Sequence, residues 1–198
     1  MHIIIIEGIT TSGKTSVFTN LKRYADEHNI KSVFISEEET TTPYIDSVSL
    51  ESNKNALNNL VRNALSKKSD LLVFDRLYFA HTFKTGGTTE DFREIEELLN
   101  GYDTTMFFLE IPESSIEKRI TESMQYRYKG WVDYVMNRAG GDIKKVVSFY
   151  TDRQRESKNL FNKSILKKYI LDTASQNYVA ITREIIDKSN IRPDQFFV

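Results

Sequence analysis

The sequence predicts an α/β protein built on a five-stranded parallel sheet, with helices on both faces and a small helical lid. Three observations carry that expectation. Five short apolar runs punctuate the chain, the stretches between them repeat apolar residues at helical intervals, and the first run opens into a glycine-bracketed loop. The runs are HIIIIE (2–7), KSVFIS (31–36), DLLVFD (70–75), TTMFFLEI (104–111) and KKYILD (167–172). They are apolar nearly throughout rather than alternating, which predicts strands covered on both faces.

Taken in order, the first run leads to a helix with Val17, Leu21, Ala25 and His28 on one face. Leu57, Leu60, Val61, Ala64 and Leu65 mark a helix before the third run, and Ile95, Leu98, Leu99 and Tyr102 mark one before the fourth. Ile143, Val146, Val147 and Tyr150 mark another before the fifth. Such one-sided helices pack on a sheet, and regular alternation of strand and helix implies parallel βαβ units. Pro43, Pro112 and Pro193 are expected at the ends of elements. Ligands of such a sheet bind beyond the carboxyl ends of its strands, so the residues that follow each run are the candidates for chemistry.

At 198 residues the chain suits a single domain, residues 1–198, with its own core. It has no cysteine, which excludes disulfides and zinc–thiolate sites. No run reaches the length of a membrane span, and Met1-His2 leads straight into a strand without room for a signal peptide. A cytoplasmic protein without membrane contact is expected. The net charge of −1 gives no global pull towards polyanions. Locally, residues 142–168 hold eight basic side chains against three acidic ones, interspersed with Phe149, Tyr150 and Phe161. That stretch reads either as a solvated helix face or as a grip for nucleic acid.

After the first run, Gly8-Ile9-Thr10-Thr11-Ser12-Gly13-Lys14-Thr15 satisfies G-x-x-x-x-G-K-[ST] between a strand and a helix. Gly8 and Gly13 let the loop wrap tightly, so that N–H groups from Thr10, Thr11 and Ser12 through Ser16 at the helix start face phosphate oxygens. Lys14 adds a cation for the β and γ phosphates, and the Thr15 hydroxyl is placed to ligate Mg²⁺. The stretch is therefore expected to hold a nucleoside triphosphate, ATP, with Mg²⁺.

The loop alone does not choose among switches, motors and kinases. No N-K-x-D or D-x-x-G string occurs, and the third run closes with Asp75-Arg76 instead of an acidic pair. LLVFDRLYFAHTF (71–83) resembles the thymidylate kinase and deoxynucleoside kinase group, whose third strand ends in Asp-Arg or Glu-Arg. FFLEIPESSIEKRI (107–120) is similar to the segment leading into that group's lid, and YILDTAS (169–175) to its last strand and small-residue turn. The resemblance implies Asp75 near Mg²⁺ or the attacking oxygen, and Arg76 clamping the acceptor or the transferred phosphoryl group. It also implies Arg119 against the adenine, Thr173 and Ala174 beside that base, and a lid around 119–130 to which Arg127 adds a catalytic cation. Ser123 stands where the group often has a second arginine. Its relatives are often dimers, so a homodimer is a candidate assembly.

The acceptor side departs from the pattern. SEEETTTPY (36–44) replaces the Thr-Arg-Glu-Pro of thymidylate kinases, with no arginine and three carboxylates. Glu37, at the strand end, suits a base for a hydroxyl acceptor, which needs one more than an already ionised phosphate does. Transfer to a nucleoside monophosphate is the first reading; transfer to a hydroxyl of a nucleoside or of nucleic acid is the second. A catalytically idle nucleotide-binding module is the third. Tyr44, Tyr78, Phe79 and His81 are candidates to line an acceptor-base pocket.

Overall fold

The computed structural model describes residues 1–192, apart from the side chains of Tyr44, Ile45, Asp46 and Arg138. Pro193 therefore lies outside the described residues. Five parallel strands, β1 (His2–Glu7), β2 (Ser32–Ile35), β3 (Leu71–Asp75), β4 (Asp103–Glu110) and β5 (Lys167–Asp172), form one sheet in the order β2-β3-β1-β4-β5. The chain thus starts in the middle of the sheet, adds strands on one side of β1, then crosses to the other.

The four isoleucines of β1 divide two and two. Ile3 and Ile5 join the core beneath α3 (Leu50–Ser66), α4 (Phe79–Thr85) and α5 (Arg93–Asn100), together with Phe161 of α8 (Ile143–Lys163). Ile4 and Ile6 join the opposite core beneath α1 (Lys14–Glu27) and α9 (Tyr178–Lys188). A strand alternates its side chains between faces, so an unbroken apolar run is what a doubly covered strand requires. β5 departs from the expectation: it is an edge strand, Ile170 is exposed, and only Leu171 is fully buried in it.

Two predicted helical faces end early. Tyr102 lies past the end of α5 and is exposed, and His28 forms the C-cap of α1, where its ring lies 4.2 Å from that of Tyr24.

A third apolar cluster sits at the carboxyl end of the sheet. Ile116 and Ile120 of α6 (Glu113–Tyr126), Val135 of α7 (Lys129–Arg138), and Val146 and Tyr150 of α8 pack there around Ile9 and Ile111. The segment 119–130 expected to form a lid straddles α6 and α7.

The Glu37 to Glu39 run is neither loop nor strand but the first turn of α2 (Glu37–Asp46). Ser36 Oγ accepts from the Glu39 N–H at 3.3 Å, while the Glu39 carboxylate accepts from the Ser36 N–H at 2.8 Å. That reciprocal cap, with carboxylates at the positive end of the helix dipole, explains the clustered charge. Pro43 falls inside α2 instead of at an end. Its missing bond is outweighed by tertiary anchors: Thr40 Oγ1 donates to the Asp75 carbonyl at 3.2 Å, and a ring nitrogen of His81 lies 2.7 Å from the Thr40 carbonyl. Among the described residues, no helix is long and apolar enough to cross a membrane.

The exit of β4 depends on one side chain. Gln154 of α8 accepts from the Ile111 N–H at 3.0 Å and donates to its carbonyl at 2.7 Å, replacing a missing strand neighbour. Gln154→Leu would leave two buried backbone groups unpaired, at roughly 1–3 kcal/mol each. Thermal denaturation should therefore show a melting point lower by several degrees, whereas the exposed substitution Lys163→Gln should leave it unchanged.

Candidate active site

The parallel register sets the site. Ile6 pairs with Asp75, so Glu7-Gly8 leaving β1 and Asp75-Arg76 leaving β3 emerge side by side where the connections diverge to opposite edges. The loop then turns into α1. Gly8 has φ 148° and Gly13 φ 98°; a Cβ on Gly8 would stand 2.6 Å from Ser12 Oγ and 2.8 Å from the Leu109 carbonyl. Both glycines are needed for conformation and for space. Thr11 takes a left-handed φ of 68°, and its carbonyl faces α6. Lys14 is buried and donates to the Ile9 carbonyl at 3.0 Å, while Thr15 and Ser16 are exposed at the start of α1. Burial, and then the charge of Arg76, push the Lys14 ammonium down to about 8.

Arg76 also has a left-handed backbone, φ 69°, fixed by its N–H bond to the Ile6 carbonyl at 2.9 Å. This conformation turns its guanidinium back over the loop, where it donates to the Gly8 carbonyl at 3.1 Å and meets Glu37 in an ion pair at 2.8 Å. Burial acts to raise Glu37, but Arg76 and Lys14 outweigh it and hold the carboxyl below its ordinary value. Asp75 is shifted upward by burial despite Lys14, and its Oδ1 is buried with no hydrogen-bond partner.

Glu7 escaped the sequence reading. It is buried behind the loop, accepts from the Leu77 N–H at 2.8 Å, and is pushed by burial up to about 7 against the opposing pull of Arg76. The available signal was a charge closing a run of four isoleucines.

Helix α6 is tied to the loop through Arg119, which is buried. Its guanidinium donates to the Thr11 carbonyl at 3.3 Å, to the Tyr178 hydroxyl at 2.8 Å, and to the Thr173 carbonyl. Thr173 is itself buried, bonded to the Glu110 carbonyl at 2.9 Å, and Ala174 is exposed. The Tyr178 ring lies directly on Gly13: a Cβ there would fall 1.9 Å from Cε1. No local pattern announced Tyr178, because its place comes from α9 packing against α1.

A cleft of about 500 Å³ opens over these groups. Of the predicted residues it is lined by Thr10, Thr11, Gly13, Lys14, Thr15, Ser16, Glu37, Arg76, Arg119 and Arg127. Glu122, Ser123, Tyr126, Trp131, Gln176 and Tyr178 complete the wall, and of these only Ser123 was singled out from sequence.

Other expected site residues lie elsewhere. Tyr78 and Phe79 do not line an acceptor pocket; both are buried in the core, with the Tyr78 ring stacked on Phe92 and its hydroxyl donating to Glu96 at 2.6 Å. His81 is buried too, between Asn53 and Thr40. The apolar face of a short helix decided all three. The side chain of Tyr44 lies outside the described residues.

Of the aromatics in the basic stretch, Tyr150 and Phe161 face the interior, whereas Phe149 is exposed with the Arg153 guanidinium 5.2 Å from its ring centroid. Arg153, Arg155 and Lys158 stand in ion pairs with Glu156, Glu113 and Glu110, and Lys167 and Lys168 donate to backbone carbonyls.

The fold and the loop define a P-loop protein with the architecture of the nucleotide and nucleoside kinases, a five-stranded parallel sheet flanked by helices. Within that class the chain is similar to the YorR protein of Bacillus subtilis, solved with phosphorylated GDP (17% identity, 96% of each chain covered, TM-score 0.60). It is also similar to thymidylate kinase from Candida albicans (17% identity, 95% of this chain and 92% of that one, TM-score 0.51). A third is deoxyadenosine kinase from M. mycoides, solved with dCMP and dCDP (12% identity, 95% and 98%, TM-score 0.50). A protein-family profile described as chromatin associated protein KTI12 matches residues 1–85, which hold the loop and Asp75-Arg76. No curated protein sequence matches the chain.

Glu7 gives a stability test. Its folded pKa, about 7, lies above the 4.5 of the free side chain. Its contribution is therefore fully present below pH 4.5 and lost as pH rises through 7, on the order of 3 kcal/mol. Glu7→Gln, fixed in the neutral form, should melt several degrees above wild type at pH 8 without nucleotide, and no higher than wild type at pH 4.5.

Proposed function

We propose that the protein transfers the γ-phosphoryl group of ATP to a hydroxyl of a nucleoside-type acceptor, free or within nucleic acid. One observation carries the choice of acceptor: the Glu37 carboxylate at the cleft wall, paired with Arg76 at 2.8 Å. A monophosphate acceptor would call on Arg76 for charge, but that guanidinium already serves Glu37 and the Gly8 carbonyl. A hydroxyl acceptor calls instead on an ionised, oriented carboxylate, which this pairing supplies.

In the proposed step the loop N–H groups and the α1 N-terminus hold the phosphates, and Lys14 turns from the Ile9 carbonyl to the γ-phosphate. The acceptor oxygen bonds to the γ-phosphorus, the bond from that phosphorus to the β,γ-bridging oxygen breaks, and ADP departs. Glu37 takes the hydroxyl proton. Arg76 keeps Glu37 oriented through their ion pair, and Lys14 offsets the charge that spreads over the transferred oxygens.

The residues fit Mg²⁺: Asp75 has a buried oxygen without a partner, and Thr15 presents an exposed hydroxyl at the loop's end. The described residues hold no cluster of three His, Cys, Asp or Glu, as suits an ion that completes its shell with phosphate and water. When bound, the ion would neutralise phosphate charge.

The test is transfer of radiolabelled γ-phosphate to deoxynucleosides, deoxynucleoside monophosphates and oligonucleotides that include hydroxylated bases. Label is expected on a nucleoside or oligonucleotide, with kcat lower by roughly 10²- to 10⁴-fold in Glu37→Gln and transfer lost in Lys14→Ala. Label on a monophosphate, undiminished in Glu37→Gln, would restore the thymidylate-type reading. ATP binding with no transfer to any panel would leave a nucleotide-binding module.

A further inference from the structure

Among the described side chains, Tyr78, Phe79 and His81 lie in the core and do not face the acceptor's base. The cleft supplies another aromatic. Trp131 of α7 lines it, and the Arg127 guanidinium stacks on the Trp131 ring at 4.4 Å from the centroid. Arg127 lines the same cleft as Glu37. The stack thus shares its cleft with Glu37 and Arg76, whereas Tyr178 is seated on Gly13 of the loop and bonded to Arg119.

We propose that the Arg127–Trp131 stack is the platform on which the planar base of the acceptor sits, orienting its hydroxyl towards Glu37. The inference rests on the hydroxyl-transfer reading above. A nucleobase joins such a stack face to face, because the guanidinium is flat, always charged and weakly hydrated. Stacking also tolerates different bases, so it predicts acceptors defined by an aromatic ring rather than by one hydrogen-bond pattern. Trp131 packs in addition against the apolar cluster of α6, α7 and α8, which holds the platform rigid.

Trp131 is the chain's one tryptophan, so its fluorescence reports on this place directly. The wild-type protein, loaded with Mg²⁺ and a non-hydrolysable ATP analogue, is titrated with the four deoxynucleosides and their monophosphates, with ribitol as a hydroxyl compound lacking a ring. Saturable quenching by the base-bearing compounds and none by ribitol is expected.

In steady-state transfer assays, Trp131→Leu, which keeps apolar bulk, should raise the acceptor KM roughly 10- to 100-fold while the KM for ATP stays within about twofold. Trp131→Phe should recover most of that loss, which a purely structural tryptophan would not require. Quenching by the ATP analogue alone with no further change on adding acceptor, or a rise in the KM for ATP only, would overturn the proposal. Quenching by monophosphates with label transferred to them would retain the platform and reject the hydroxyl reading, so the two failures stay separate.

Discussion

The site depends on one buried cation. Arg76 lies among the carboxylates of Glu7, Asp75 and Glu37, with the Lys14 ammonium among the same groups. Removing so many charges from water costs several kcal/mol each unless they compensate one another. The molecule compensates with Arg76, whose left-handed backbone turns its guanidinium back over the loop to Glu37. Where compensation is incomplete the protein keeps groups near neutrality: Glu7 is driven up to about 7, and Lys14 down to about 8. Added negative charge at the loop would relieve Lys14, whose ammonium burial and Arg76 disfavour, whereas Arg76 is already compensated by its carboxylates.

The sheet and helices serve that cluster. Two apolar faces lock β1 and β3 in register, which places their last residues side by side, and the third cluster holds α6, α7 and α8 over the strand ends. Arg119 joins these levels, linking α6 to the loop, to the residue after β5 and to α9.

Much of the fold was legible because its signals are local. Strand runs, one-sided helices and the Gly8 to Thr15 loop each lie within a few consecutive residues, and backbone sterics and burial act on them directly. The Glu37 to Glu39 run stood out only for its candidate base, and the helix cap written locally in Ser36-x-x-Glu39 went unread. Tyr78, Phe79 and His81 misled because a helix after a strand end has two faces. Their sequence could not say which face met the ligand and which met Phe92 and Asn53.

By itself, then, the sequence determined the layered α/β architecture, the phosphate-type loop and the place of Asp75-Arg76 at a strand end. The tertiary structure decided what surrounds them: Glu7 behind the loop, Glu37 against Arg76, Tyr178 on Gly13 and Trp131 at the cleft. Each of those joins residues far apart in the chain. Such contacts are set by parallel register, by helix packing and by the mutual screening of buried charges, none of which a local run of residues encodes.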